Sequence, residues 1–166
     1  MLLASKLGAL GVLLSDLGER VAGDLSPSAA ALLLTLRFRS ALTATVLADI
    51  AGIAQPTAVR VLDGLIREGL VVRQARTGRE APVRLTRLGR QRAQRLLSAR
   101  LQAFRRLLAA LPGDDHIRLE GMIDKLLAAA TTSRAFARTT CRLCDHATCD
   151  GPRCPIGTRA TELAGR

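Results

Sequence analysis

Tryptophan and tyrosine are missing from the 166 residues, and three phenylalanines bring the aromatic fraction to only 2%. Proteins that grip single-stranded nucleic acids stack successive bases on aromatic rings, so that mode has almost nothing to work with here. Duplex binding, which needs only phosphate neutralisation and groove contacts, is not excluded. Histidine is equally scarce, at two residues. No Ser-His-Asp set, paired-carboxylate pattern or phosphate loop accompanies them, so no enzyme is expected. A long apolar run is also lacking. Residues 1–14 superficially suggest a signal peptide, but the run is short and broken by glycine. Asp16, Glu19 and Arg20 follow it without a small-residue cleavage site. A cytoplasmic, nucleoid-associated protein with no membrane partner is therefore expected. Acidic residues number 14 against 25 Lys+Arg, a net charge of +11 carried mostly by arginine. That excess asks for an anionic partner.

The stretch from Val46 to Thr86 is the most informative part of the chain. Val46 to Ala51 reads as the end of a short apolar helix, which Gly52 breaks. Pro56 suits the first position of a new helix, where its missing N–H costs nothing. Ala58, Val61, Leu62, Leu65 and Ile66 then form one apolar face, and Gly69 fits a left-handed cap. Off that face lie Gln55, Pro56, Thr57, Val59 and Arg60, which include the amide, methyl and guanidinium groups that read base edges in a major groove. Two β-rich runs, Leu70 to Arg73 and Val83 to Thr86, flank a loop with Arg76, Gly78 and Arg79. Helix, turn, helix and basic hairpin together predict a winged helix-turn-helix.

This stretch resembles the MarR family of bacterial regulators. The family's recognition helix commonly reads S-Q-P-x-V-x-R-L-x-D-x-L. Here it is Ala54-Gln55-Pro56-Thr57-Ala58-Val59-Arg60-Val61-Leu62-Asp63-Gly64-Leu65. The wing motif D-x-R, followed by L-T-x-x-G, is matched by Thr77-Gly78-Arg79 and Leu85-Thr86-Arg87-Leu88-Gly89. Ala54 lacks the capping hydroxyl, a loss of roughly 1 kcal/mol, and Thr77 stands where the wing aspartate usually is. The resemblance spans about residues 5–132. It implies Arg79 as the minor-groove residue, a palindromic double-stranded DNA operator, a two-fold homodimer and a small aromatic acid as effector. Arg37 and Arg39 are then candidate partners for the acid's carboxylate, or else surface or phosphate-contacting groups. Asp63 either orients an arginine or sits on a solvated helix face.

The flanking segments predict helices. Leu7, Leu10, Leu14, Leu17 and Val21 repeat as a heptad seam, serving either a core helix or a dimer interface. Ser26 before Pro27 is a good N-cap, and the helix it opens, running to about Arg39, is apolar nearly all round. Thr43 is placed to cap the next helix. After the wing, Leu88 to Leu111 predicts a long strut with a seam at Leu97, Leu101, Phe104, Leu108 and Leu111. Pro112-Gly113 ends it, and Asp114 and Asp115 open another helix at its positive pole. Leu119, Met122, Ile123, Leu126, Leu127 and Ala130 are expected to form that helix's buried stripe, and His116 to be a surface residue.

All four cysteines lie in the tail, at Cys141, Cys144, Cys149 and Cys154, spaced C-x2-C-x4-C-x4-C. With Cys for His, that is the spacing of a zinc knuckle. MarR-like regulators with a similar CRLCD…C…CP ending make the tail resemble a subfamily feature. Cys154-Pro155 also suits an iron–sulfur ligand run, and free thiols or a reversible disulfide form the third option. Structural disulfides are disfavoured in a cytosolic protein. His146 is expected to be a solvated turn residue, and a metal is expected to be needed to order so short a segment.

The fold class expected is mainly α (α+β), a winged helix-turn-helix with long terminal dimerisation helices and a small Cys-rich tail. The divisions are 1–42 and 88–133 for dimerisation, 43–87 for the DNA-binding unit and 134–166 for the tail. Three functions from different classes stand open: a dimeric, effector-responsive repressor, a metal or redox sensor acting through the tail, and a basic protein binding nucleic acid without sequence choice.

Overall fold

The computed structural model describes residues 1–76 and 81–165. Four helices lead the chain: α1 (Leu2–Ala22), α2 (Pro27–Phe38), α3 (Ala44–Ala51) and α4 (Gln55–Arg67). A hairpin of β1 (Val71–Arg73) and β2 (Val83–Leu85) follows, then α5 (Arg87–Leu108) and α6 (Gly113–Ala130). The tail folds as α7 (Arg134–Thr140), two 3-10 turns at Cys141–Leu143 and Gly151–Arg153, and α8 (Pro155–Ala164).

Local chemistry sets the boundaries. Ser26 accepts a hydrogen bond from the Ala29 amide and Thr43 accepts one from Val46, each at the start of its helix. Gly52 takes the left-handed conformation (φ 68) that closes α3. At the end of α4 the Gly69 amide donates to the Ile66 carbonyl and the Leu70 amide to that of Leu65. With Gly69 at φ 69, these are the two bonds of a Schellman cap. Pro56 occupies the second rather than the first turn position, because Gln55 already has helical geometry.

α2 is the core's axis. Every residue from Ala29 to Leu36 is buried, matching its all-round apolarity. Leu47, Leu62, Leu65, Val71 and Val83 close around it from α3, α4 and the hairpin. The hairpin pairs Val71 with Leu85 and Arg73 with Val83. Leu42 adds an antiparallel bridge, exchanging two backbone bonds with Val83, a pairing not foreseen from sequence. Thr86 welds the hairpin to α5. Its hydroxyl donates to the Gly69 carbonyl (2.7 Å) and accepts from the Gly89 amide (3.0 Å). Gly89 packs so tightly that a Cβ there would lie 1.9 Å from the Leu70 carbonyl oxygen. Arg92 reaches back to Asp24, tying α5 to the α1–α2 turn.

Three expectations are corrected. α5 ends at Leu108, not Leu111, with Ala109 as its cap residue. The α6 stripe is not buried within the chain: no residue of α6 is, and Met122, Ile123 and Leu126 are 55%, 42% and 57% exposed. The reason is placement, since α6 packs on the tail helix α8 rather than on the α2 core. Only Leu127 reaches the tail cluster. In α1, likewise, the half carrying Leu7 and Leu10 is exposed while the later half packs on α5. The tail packs against the main body. Leu143 packs on the central core, and Ile156 is 4% exposed. His146, third, is half-buried, not solvated: its ring lies 5.0 Å from that of Phe38 and its Nε2 is 3.1 Å from the Cys141 carbonyl.

Candidate nucleic-acid interface

α4 divides as its sequence predicts. Ala58, Leu62 and Leu65 are buried, Val61 and Ile66 partly so, and Gln55, Pro56 and Arg60 are exposed with Thr57 and Val59 at the margin. The fold thus brings these five candidates to the start and outer side of one helix. Gln55 is steadied by donating from its amide to the Thr45 hydroxyl on α3 (3.2 Å). Ala54 makes no side-chain cap, as its missing hydroxyl requires.

Asp63 carries more than sequence alone could assign. Its carboxylate accepts from Arg73 of β1 at 2.5 Å, with both side chains about half exposed (52% and 49%). An exposed pair contributes at most about 1 kcal/mol, so its effect is to fix the direction of Arg73 along the outer side of α4. Arg73 was not singled out from the sequence. The available signal was the ten-residue Asp63–Arg73 separation across a helix–strand turn, which has no fixed geometry before folding. Arg73, Arg76 and Arg84 are exposed on the hairpin. Arg79, the wing-tip candidate, lies outside the described residues.

Arg37 and Arg39 are not brought together. Arg37 is partly buried, its guanidinium 5.3 Å from the Phe38 ring centre, and it faces an open patch with Arg90 and Arg95. Arg39 instead borders a cavity of about 350 Å³ between α2, α3 and the tail. A different cavity of about 480 Å³ lies between α1, α2 and α5, lined by Leu14, Ala30, Leu34, Leu96 and Arg100. Arg100 is half-buried, its guanidinium 4.7 Å from the Phe104 ring centre, and burial lowers its pKa. Arg142 and Leu143 of the tail complete that wall.

The four cysteines are free thiols gathered in one small cluster with Ile156 and Leu127. They stand as two pairs, Cys141 with Cys144 and Cys149 with Cys154. The hydrogen bond from Cys141 and the nearby Arg100 charge outweigh burial and bring the Cys144 thiol down to about 7. The same hydrogen bond, burial and the neighbouring thiols push Cys141 above the ordinary thiol range. Burial and Cys154 push Cys149 up to about 11. The Cys154 sulfur accepts from the Gly157 amide and caps α8. Among the described residues, no group of three or more His, Cys, Asp or Glu is arranged to hold a metal. Soft donors at the right spacing are therefore present, but as pairs rather than a closed tetrahedron. No helix among the described residues is long and apolar enough to cross a membrane.

A helix-turn-helix followed by a basic hairpin, carried between long helices, defines a winged helix-turn-helix protein. Residues 23–80 match the model of the MarR family, and the fold is that of MarR-family winged helix regulators. A MarR family protein from Bacillus stearothermophilus superposes with a TM-score of 0.70 at 21% identity, over 78% of this chain and 94% of that one. One from Mycobacterium tuberculosis gives 0.63 at 26% identity, over 75% and 92%. MepR of Staphylococcus aureus, in a mutant bound to an oligodeoxyribonucleotide, gives 0.59 at 17% identity, over 76% and 96%. No match exists among curated proteins.

Proposed function

We propose that the chain is a homodimeric, sequence-specific, double-stranded DNA-binding transcription regulator of the cytoplasm, acting as an effector-responsive repressor. The observation that carries this reading is α4 itself, a helix buried on Ala58, Leu62 and Leu65 that presents Gln55 and Arg60 to solvent beside a basic hairpin. A solved mutant of MepR with the same fold is bound to an oligodeoxyribonucleotide. In this reading α4 enters the major groove, where an arginine fork matches the O6 and N7 edge of guanine. Arg76 meets phosphate and Arg79 the flanking minor groove, whose negative potential draws arginine where it is narrow. Two copies related by a two-fold axis would read a palindrome whose inverted half-sites lie on one face of the duplex, a helical turn apart. An effector acid fits the 480 Å³ cavity between α1, α2 and α5, with Arg100 as its carboxylate partner.

Arg60→Ala should weaken binding to the specific operator by about 1–3 kcal/mol, and Arg79→Ala should weaken mainly operators with A·T-rich flanks. Quantitative footprinting checks both. Unchanged affinity in both variants would overturn the assignment of the reading surface. A basic protein without sequence choice would instead show a steep salt slope and little discrimination between sequences.

A second reading concerns the tail. We propose that Cys141, Cys144, Cys149 and Cys154 hold one zinc ion as a structural clip, which would supply folding free energy to a segment with few large apolar residues. Their gathering into a single cluster supports it, and binding would require the two pairs to close up. Elemental analysis of protein purified without oxygen should find about one zinc per chain. Iron with acid-labile sulfide would favour a cluster. Neither metal, with four freely titrating thiols, would leave a redox-active tail.

A further inference from the structure

The cavity behind α3 is a separate feature from the one between α1 and α5, and the extra tail builds it. The solved relatives cover more than nine-tenths of their own length but only about three-quarters of this chain, and α7 to α8 lie beyond the span that sequence resemblance covers. The tail folds back over the C-terminal end of α2 and borders a half-open cavity of about 350 Å³. Its walls are unlike a simple packing defect. Four arginines border it: Arg39 from the end of α2, Arg134 and Arg138 one turn apart on α7, and Arg142 from the first 3-10 turn. Among the described residues none of the four is in an ion pair, and Asp150 is the one carboxylate among the lining residues. That carboxylate already accepts from the Gly151 amide at 2.7 Å. Thr35, only 6% exposed, lines the same cavity, and its hydroxyl has no hydrogen-bond partner. Buried polar groups are ordinarily satisfied. Phe38, Ile50 and Ile156 supply apolar surface beside the charge.

We propose that this cavity binds a compact oxyanion, a phosphate- or carboxylate-bearing compound with a small apolar body. The guanidinium fork matches both head groups bidentately. The Thr35 hydroxyl gains a partner, and the apolar body covers Phe38 and Ile156. Cys141, Cys149 and Cys154, proposed above as zinc ligands, also border the cavity, so the anion is assigned to its arginine side, where the arginines outnumber the lone lining carboxylate and raise the local positive potential. The occupant would touch the helix-turn-helix from behind. Thr139 of α7 donates its hydroxyl to the Asp49 carbonyl (3.3 Å) and its methyl group sits against Gly52 at the end of α3.

Calorimetry on the full chain tests this with phenyl phosphate and benzoate, which share an apolar body and differ in head group, at constant ionic strength with chloride as the competing ion. At least one should bind saturably, one per chain, and the preferred head group names the source. Arg39→Gln with Arg138→Gln should weaken that binding roughly tenfold or more, and Thr35→Val should weaken it severalfold. Both arginines are exposed and Val is isosteric with Thr, so the fold is retained, as circular dichroism will verify. Arg100→Gln, in the other cavity, should leave it unchanged. Two results would overturn the proposal: saturable binding of neither probe, or binding that survives the Arg39/Arg138 double variant and is lost in Arg100→Gln. The readout does not involve DNA, so its failure is distinguishable from failure of the operator-binding assignment.

Discussion

Leu126→Asp should convert a dimer into a monomer while leaving each chain folded. Leu126 is 57% exposed in the single chain, and Ile117, Met122 and Ile123 lie uncovered on the same helix. Leu7, Leu10 and Leu13 are similarly uncovered on α1. Large apolar residues left bare along a long helix within one chain mark a candidate association site. A carboxylate placed there costs the isolated chain little, since water still solvates it. Within a two-fold interface it appears twice, and an uncompensated buried charge costs about 3–5 kcal/mol. The dissociation constant should therefore rise roughly a hundredfold or more. Sedimentation at micromolar concentration should give a dimer for the parent and a monomer for the variant, with helical circular dichroism preserved in both. A monomeric parent, or a variant that stays dimeric, would remove the proposed assembly.

Gly89→Ala should be far more damaging to the chain itself. A methyl group at this position would sit 1.9 Å from the Leu70 carbonyl oxygen and 2.9 Å from its carbon. The obstruction is backbone, so no rotamer change relieves it. Leu70 is held in place by its own bond to Leu65 and by the Thr86 amide, which donates to it at 3.0 Å. Overpacking a core site typically costs 1–3 kcal/mol, with more expected where the neighbour cannot move, so about 3 kcal/mol or above is the expectation. For a chain of this size the melting temperature should fall by about 6–12 °C. Gly121→Ala is the control, because a Cβ there meets nothing within 4 Å; it should be neutral or slightly stabilising. Equal melting temperatures for the parent and Gly89→Ala would show that α5 does not approach the hairpin this closely.

Features decided within a few residues were legible beforehand. Ser26-Pro27, Thr43, Gly52 and Gly69 each impose a backbone conformation through their own atoms, and each occurs where expected. The buried side of α4 follows from the 3.6-residue repeat, and its outer candidates from what that repeat leaves over. Features that depend on distant segments were not legible. The stripe on α6 has the same periodicity whether the surface it meets belongs to this chain or another, so spacing alone put it in the wrong place. Arg37 and Arg39 lie two residues apart on a helix that ends between them, which points them into different surroundings. His146 looked like a turn residue because nothing local announces that Phe38, more than a hundred positions earlier, will pack against it. The tail's contacts with α2, α3 and α6 likewise lie outside what the tail's own composition reveals.

The joins around the hairpin bear on how such a reading surface could be switched. Leu42 bridges Val83, the Thr86 hydroxyl clasps the end of the α4 turn, and Gly89 lets α5 meet Leu70 backbone to backbone. From the α2–α3 connection to the first turn of α5, helix-turn-helix and hairpin base are thus joined by direct backbone contacts. In the dimer proposed above, two such units would meet half-sites about 34 Å apart and could gain or lose register by pivoting. Control would then act through the angle between the two heads, leaving the shape of each untouched.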